Sequence, residues 1–386
     1  MDFGWTDEEL AFRDEVRAFM SAHWDADPSA ADAEGADTHR KVVELNLAAG
    51  EQGWITMAWP SEYGGRDASH VEQLIFNEET AIHGVPLATI GSLIGPTLMV
   101  HGTEEQRREH LPHIASGERI WAQGFSEPGA GSDLASLVTR AERDGDHFVV
   151  NGQKIWTSRA HRADWIFLLT RTDPEAPKHR GITFLIADMR TPGINPQQIV
   201  QMHGDAEFNE TFFEDVRIPA ENVVGEVNRG WYVATTTLDF ERSGVHVVRS
   251  ARRQLDRLLD ALDAGEVVTS QDRATLRRVL ADTAIETEVG TWLAYRVAWM
   301  QSQGLVPNYE ASMSKVLGSE AAQHNAQSGI NVLGLYGALK PESPYAPLHG
   351  VYCQLYMWTV SRTIAGGTSE VQRNIIATRG LGLPRA

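Results

Sequence analysis

The feature that most constrains this chain is a change of hydrophobic period near residue 120 and its reversal near residue 230. Before the first change, apolar residues recur at helical spacing. Leu10, Phe12, Val16, Phe19 and Met20 follow a start at Thr6-Asp-Glu-Glu9, where Thr6 can accept a free helix N–H and Glu9 can reach back. Comparable patterns cover about 38–52, 69–82, 89–101 and 103–115. Short β-rich bursts then take over at 120–126, 147–150, 154–157, 165–170, 182–187 and 210–213. Asp144-Gly145 and Asn151-Gly152 read as hairpin turns between them, because glycine tolerates positive φ. After Trp231 the helical period returns: Leu255, Leu258, Leu259 and Leu262, long patterns over 270–303 and 310–329, and a last helix over 368–378. The expected class is α+β, with an N-terminal α-helical domain (1–119), a middle β-barrel or sandwich domain (120–229) and a C-terminal helical domain (230–386).

Composition narrows the partners. The 386 residues carry 52 acidic against 34 basic side chains, a net charge of −18. That surface lacks the cationic footprint of a general nucleic-acid binder, although a few arginines at one site can still hold a small anion. Cys353 is the single cysteine, so no intramolecular disulfide and no Cys-rich metal centre is possible. The start, MDFGWTDEELAF, has no basic segment before an apolar one, and no run nears the ~18 apolar residues of a membrane span. The expectation is a cytoplasmic protein without a membrane span. His101, His203 and His246 do not form a metal-binding spacing, so no metal is expected.

Two segments carry chemistry. Gln123-Gly-Phe-Ser-Glu-Pro-Gly-Ala-Gly-Ser-Asp133 has Gly129 and Gly131 leaving the backbone bare beside Ser132, so N–H groups and a hydroxyl can approach a phosphate or a ring system. It is not a GxGxxG loop in a βαβ unit, and by composition alone it is also an ordinary surface turn. Asn151-Gly-Gln-Lys-Ile-Trp-Thr-Ser158 puts Trp156 and two hydroxyls on a strand, where the indole could shield a planar cofactor or simply pack.

Both segments, together with Glu214-Asp-Val-Arg-Ile-Pro219 and Gly366-Gly-Thr-Ser-Glu-Val-Gln-Arg-Asn374, resemble the acyl-CoA dehydrogenase flavoprotein family, essentially end to end. The resemblance implies a C-terminal four-helix bundle, FAD between the β-domain and that bundle, a tetramer, an acyl-CoA substrate and an electron-transfer flavoprotein as electron acceptor. It further implies that Phe125, Ser126, Gly131 and Ser132 line the flavin and its pyrophosphate, with Ser132 also toward the substrate. By the same resemblance Trp156 covers the flavin, Ser158 bonds near its N5, and Thr368 and Glu370 lie on its other side.

Many family members carry the α-proton base just before Gly-Thr of the C-terminal motif, where this chain has Gly366. In a minority the base sits in a Glu-Arg pair, matched here by Glu241-Arg242 in Leu238-Asp-Phe-Glu-Arg-Ser-Gly-Val245. Leu238, Glu241, Val245 and Val248 are spaced 3, 4 and 3, so a helix would set Glu241 on its apolar face, where lost hydration raises a carboxyl pKa. The resemblance gives Asp239 and Arg242 to the thioester arm of CoA, and gives the backbone N–H at Gly366 to polarising the thioester carbonyl, a role that survives loss of a side chain. His83, Pro86 and residues 89–96 are candidate neighbours of the acyl pocket.

The chain departs from the family at three places. Asn331-Val-Leu-Gly-Leu-Tyr-Gly337 stands for Gln-x-x-Gly-Gly-x-Gly, no Arg-x-x-Phe segment occurs near 270–278, and Met202 to Glu210 replaces a Gly-x-Arg loop. That pattern is similar to an actinobacterial branch that acts on sterol side chains or other bulky acyl-CoAs, in which heterotetramers with a related subunit occur beside homotetramers. The expected reaction is FAD-dependent oxidation of a saturated acyl-CoA to the trans-2-enoyl-CoA. The alternatives are a flavin monooxygenase of the same fold, which has no use for Glu241, and a supporting subunit of a heterotetramer.

Overall fold

The computed structural model describes residues 4–24, 36–85, 90–239, 244–267, 269 and 271–384. They fall into two compact units. One contains residues 34–67 and 87–241, the other 1–33, 68–86 and 242–386.

The first unit is built on one seven-stranded sheet. Its strands are β1 (Trp121–Gly124), β2 (Arg140–Asp144), β3 (His147–Lys154), β4 (Trp165–Arg171), β5 (Ile182–Asp188), β6 (Ile194–Ile199) and β7 (Phe208–Pro219). They run in the order β1-β4-β2-β3-β7-β6, with β5 paired to β4. β4 and β5 are apolar at nearly every position because both of their faces are covered. Phe167, Leu169, Ile182, Phe184 and Ile186 pack with residues of α4 (Ile90–His101), α5 (Glu104–Ala115) and α6 (Gly230–Asp239), such as Ile94, Leu111 and Val233. The alternate residues Ile166, Leu168, Leu185 and Ala187 meet Phe148, Val150, Phe213 and Val216 on the inside of the curled sheet. Each such side chain contributes about 1.5–3 kcal/mol by leaving water. α2 (Ala36–Glu51) closes this unit against residues 115–117, with Gly50 close to the Ser116 carbonyl.

Two sequence readings need correction here. Asp144-Gly145 is a hairpin turn joining β2 and β3. Asn151-Gly152 instead lies inside β3, as a bulge where the register with β7 shifts. Gly152 has φ +150° and presses on Thr139, which leaves no space for a Cβ, while the Asn151 side chain bonds Asp215 at 3.0 Å. β2 and β6 were not anticipated. In β2 only Ala141 is buried, and β6 pairs with β7 alone and buries none of its residues, so neither shows an apolar alternation.

The second unit combines α1 (Asp7–His23) and α3 (His70–His83) with α7 (Val245–Asp263), α8 (Arg273–Ser302), α9 (Tyr309–Leu333), α10 (Val351–Trp358) and α11 (Ser369–Ile375). Thr6 caps α1 as its sequence predicts, accepting the Glu9 N–H at 3.2 Å while Glu9 takes the Thr6 N–H at 2.8 Å. α1 and α3 join the bundle through charge. Buried Glu78 accepts from Arg13 at 2.6 Å and from the Tyr295 hydroxyl at 2.6 Å, and forms an ion pair with Arg249 at 3.0 Å. Its neighbour Glu79 accepts from Arg17 at 2.9 Å. The helix expected through Glu241 is seen from both sides only: α6 ends at Asp239, α7 starts at Val245, and Glu241 and Arg242 lie outside the described residues.

A buried ion pair ties the loop after β1 to the end of β3. Lys154, fully buried, donates to the Glu127 carboxylate at 2.8 Å and to the Phe125 carbonyl at 3.1 Å. Glu127 also accepts the Val138 and Thr139 N–H groups at 2.7 and 2.9 Å. Burial drives the Lys154 pKa down to about 8 although Glu127 opposes it. Burial works to raise the Glu127 pKa, but the Lys154 charge and these hydrogen bonds hold it below its ordinary value.

Lys154→Met should lower the stability of this unit by about 3–5 kcal/mol, because it strands a buried carboxylate. Lys178→Met, at the exposed pair with Asp133, should change it by about 1 kcal/mol or less; urea denaturation compares the two. A second prediction concerns His110, buried against Trp121 and Trp165 and accepting from Arg119 at 2.8 Å. Burial, then the Arg119 charge, pushes its pKa from 6.5 down to about 4. Between those values the unfolded chain takes up a proton that the folded one refuses, so stability falls as pH drops from 6.5 toward 4, by up to about 1.4 kcal/mol per pH unit. His110→Gln should flatten that slope in denaturation curves taken across this range.

Candidate active site

Six of the sequence-predicted site residues gather at one place on the first unit. The loop 125–132 runs beside the end of β3, fixed there by the Ile155 N–H donating to the Ser126 carbonyl at 3.0 Å and by the Lys154 clip on Phe125 and Glu127. Phe125 is buried edge-on to Phe167 and Phe184 and roots the loop in the core. Glu127 and Ala130 bond each other's backbones at 2.9 and 3.0 Å, which closes a tight turn. Gly129 within this turn and Gly131 and Ser132 beyond it are exposed, and a Cβ added at either glycine would meet no atom within 4 Å. The backbone here is therefore open to a bound group rather than packed against protein.

Trp156 provides the platform. It has φ +61°, an uncommon conformation for a bulky side chain, and the residue is 55% exposed. Such a conformation persists only where neighbours over-determine it. They do: the Thr157 N–H bonds the Asn209 carbonyl at 3.1 Å, Asn209 returns a bond to the Thr157 carbonyl at 2.9 Å, and Phe208 meets the indole edge-on at 5.9 Å. The Thr157 hydroxyl is fully buried without a hydrogen-bond partner among the described residues. Ser158 follows, half-buried.

Gly366, Thr368 and Glu370 belong to the second unit. Gly366 and Gly367 take φ +63° and +84°, left-handed values that favour glycine. Gly366 is exposed, and among the described residues its N–H has no acceptor. Its carbonyl accepts from Gln372 at 3.1 Å, which fixes the turn. Thr368 caps α11 by accepting the Val371 N–H at 3.2 Å. Glu370 is exposed in the first turn, where bonds from its own N–H and from Thr368 hold its carboxyl below the ordinary range. The Asp239 side chain lies outside the described residues, as do Glu241, Arg242, Pro86 and Thr89. His101 bonds the Thr236 hydroxyl at 2.9 Å and His203 faces Asp205 at 3.3 Å.

Three residues that support the site were missed by sequence reasoning. Glu127 and Lys154 sit inside the two motifs, but nothing in a sequence shows that residues 27 positions apart share a buried bond. Arg171 was the third: its guanidinium donates to the carbonyls of Ala135 at 2.7 Å and Arg180 at 2.9 Å, holding the segment that follows Ser132.

The open glycines, the exposed indole and the surrounding hydroxyls of Ser126, Ser132 and Ser158 suit a planar ring system carrying a phosphate chain, and so fit the FAD expected from the motifs. Comparison with known proteins agrees. Residues 6–118, 122–216 and 228–381 match the family models for the N-terminal, middle and C-terminal domains of acyl-CoA dehydrogenases. Acyl-CoA dehydrogenase IpdE1 of Mycobacterium tuberculosis is 38% identical over 90% of this chain and 88% of its own length. FadE26 of the same organism is 40% identical over 87% and 86%. Among solved structures, the Tcur3481–Tcur3483 steroid ACAD covers all of both chains with a TM-score of 0.91 and 36% identity. The ChsE4–ChsE5 complex from M. tuberculosis does so with 0.86 and 35%. On these matches the chain belongs to the acyl-CoA dehydrogenase family of FAD-dependent enzymes.

Proposed function

We propose that this acyl-CoA dehydrogenase oxidises a bulky, sterol-derived acyl-CoA to its trans-2-enoyl-CoA, with Glu241 as the base that removes the α-proton. The observation that carries this reading is Gly366. The position that holds the base in many family members has no side chain, and its φ of +63° disfavours one by about 1–2 kcal/mol. A carboxylate must then come from elsewhere, and Glu241 of the Glu-Arg pair is the match. The bulky acyl group is supported by the steroid ACAD among the related structures.

Bound FAD supplies the acceptor for the β-hydrogen and its electron pair. The chain's own residues do the rest. Phe125, Ser126, Gly131 and Ser132 would hold the ring system and the phosphates, and Trp156 would cover the ring, its indole already fixed by Phe208 and the Asn209 bonds. Ser158 would offer its hydroxyl to the ring, and by the family resemblance Thr368 and Glu370 would also hold the cofactor. The N–H of Gly366 donates to the thioester carbonyl oxygen, which makes the α-proton acidic enough for a carboxylate to remove. Asp239 and Arg242 position the CoA arm next to Glu241, and Ser132 also borders the substrate. Electrons leave to an electron-transfer flavoprotein. Among the described residues no helix is long and apolar enough to cross a membrane, and we place the enzyme in the cytoplasm. The pairing of two proteins in Tcur3481–Tcur3483 and in the ChsE4–ChsE5 complex supports a related subunit as partner in the tetramer that the family resemblance implies.

Glu241→Gln should leave the protein yellow with bound FAD while slowing flavin reduction by acyl-CoA about 10²–10⁴-fold, the usual worth of a general base. Stopped-flow absorbance at the flavin band reads this directly, and full-rate bleaching in the variant would remove Glu241 from the mechanism. Trp156→Ala should weaken FAD retention on gel filtration without lowering the stability of the empty chain.

A further inference from the structure

A cavity of about 550 Å³ lies within the second unit, walled by Ile82 of α3, by α7 and by Glu288 of α8. Its wall carries four arginines, Arg249, Arg252, Arg253 and Arg257, on an otherwise acidic chain. Arg249, Arg253 and Arg257 repeat at i, i+4 and i+8, so α7 stacks three guanidinium groups in one stripe, an arrangement that repels itself unless neutralised.

The neutralisation is incomplete. Arg249 is matched by Glu78 at 3.0 Å and Arg252 by Asp256 at 2.8 Å. Among the described residues Arg257 has only the uncharged Gln254, at 3.2 Å. Arg253 has no hydrogen-bond or ion-pair partner among the described residues. Burial, then the charge of Arg257, pushes its pKa below the ordinary value. Asp260 and Glu288 stand on the same wall without an ion pair to Arg253 or Arg257. The backbone also makes room for this side chain. Gly84, at the left-handed end of α3, lies directly against the Arg253 guanidinium, and a Cβ there would collide with it. A half-buried guanidinium with no partner among the described residues, beside a second one, suits an anion.

We propose that this cavity receives a carboxylate at the far end of the acyl group, with Arg253 as the specificity-determining contact and Arg257 beside it. The inference rests on the acyl-CoA dehydrogenase reading above and deepens it. Arg253 lies about 12 Å along α7 from its start at Val245, at 1.5 Å per residue, a span that an acyl chain of about eight carbons and the arginine's own side chain cover together and a short acyl group does not.

The test compares octanedioyl-CoA with octanoyl-CoA on the FAD-loaded enzyme. The expected result is a kcat/KM about tenfold higher for octanedioyl-CoA, abolished in Arg253→Gln through a higher KM and partly kept in Arg253→Lys. An enzyme that oxidises octanoyl-CoA with no preference for octanedioyl-CoA, or a preference that survives Arg253→Gln, overturns the proposal. If neither thioester reduces the flavin, the functional reading has failed instead, and binding still decides the cavity. Free octanedioate should then raise the melting temperature saturably in the wild type but not in Arg253→Gln. Absence of that shift refutes the site. Phosphate and free CoA form separate arms: a shift of the same size with either, lost in Arg253→Gln, identifies a phosphate site and also overturns the carboxylate. Arg257→Gln takes the same role should Arg253→Gln fail to fold.

Discussion

A lysine and a glutamate sealed from water hold the glycine-rich loop and the Trp156 segment of this protein in place. Lys154 and Glu127 are buried together, and between them they bond Phe125, Val138 and Thr139. Two ions leave water at a cost of several kcal/mol each, and only a full set of hydrogen bonds offsets that cost. The pair therefore fixes register more than it adds stability. With Glu127 set, the glycine-rich turn can stay bare of side-chain contacts, and with Lys154 set, the strand ends where Trp156 turns into its left-handed conformation. The open loop and the exposed indole are tolerable because the residues immediately behind them are so tightly bound.

The sheet supplies the rigid background. β4 and β5 contribute alternate side chains to two separate cores, so neither strand can slip by one residue without exchanging the contents of both. That constraint is visible in the sequence as the uninterrupted apolar runs 166–169 and 184–187. Strands at the polar margin are not visible in that way. β6 has no buried residue and exists because β7 offers it a ladder, and β2 buries only Ala141. Asn151-Gly152 shows a related limit. The dipeptide is as good a bulge as a turn, and the choice was made by Thr139 and Asp215, which are distant in sequence.

The same division runs through the site. The cap at Thr6, the approximate spans of the long helices and the family motifs were legible because each depends on neighbours three to ten residues away. What the sequence could not show was long-range: the clip between the two motifs, the Arg171 brace and the arginine stripe facing Gly84. Arg249, Arg253 and Arg257 read locally as the solvated face of an amphipathic helix. Only the position of α3 turns them into the wall of a cavity.

The Glu78–Glu79 node has a consequence for how the chain assembles. Its partners come from Arg13 and Arg17 at one end and from Arg249 and Tyr295 at the other, with Glu78 and Tyr295 separated by 217 positions. The sheet-bearing unit is nested between these segments and has all of its residues by position 241. During synthesis it can consolidate while the N-terminal helices still wait for counter-charges that the ribosome has not made. The helical unit is then a late-folding body whose order of completion is set by long loop closure, and its two adjacent carboxylates remain hydrated until the last helices arrive.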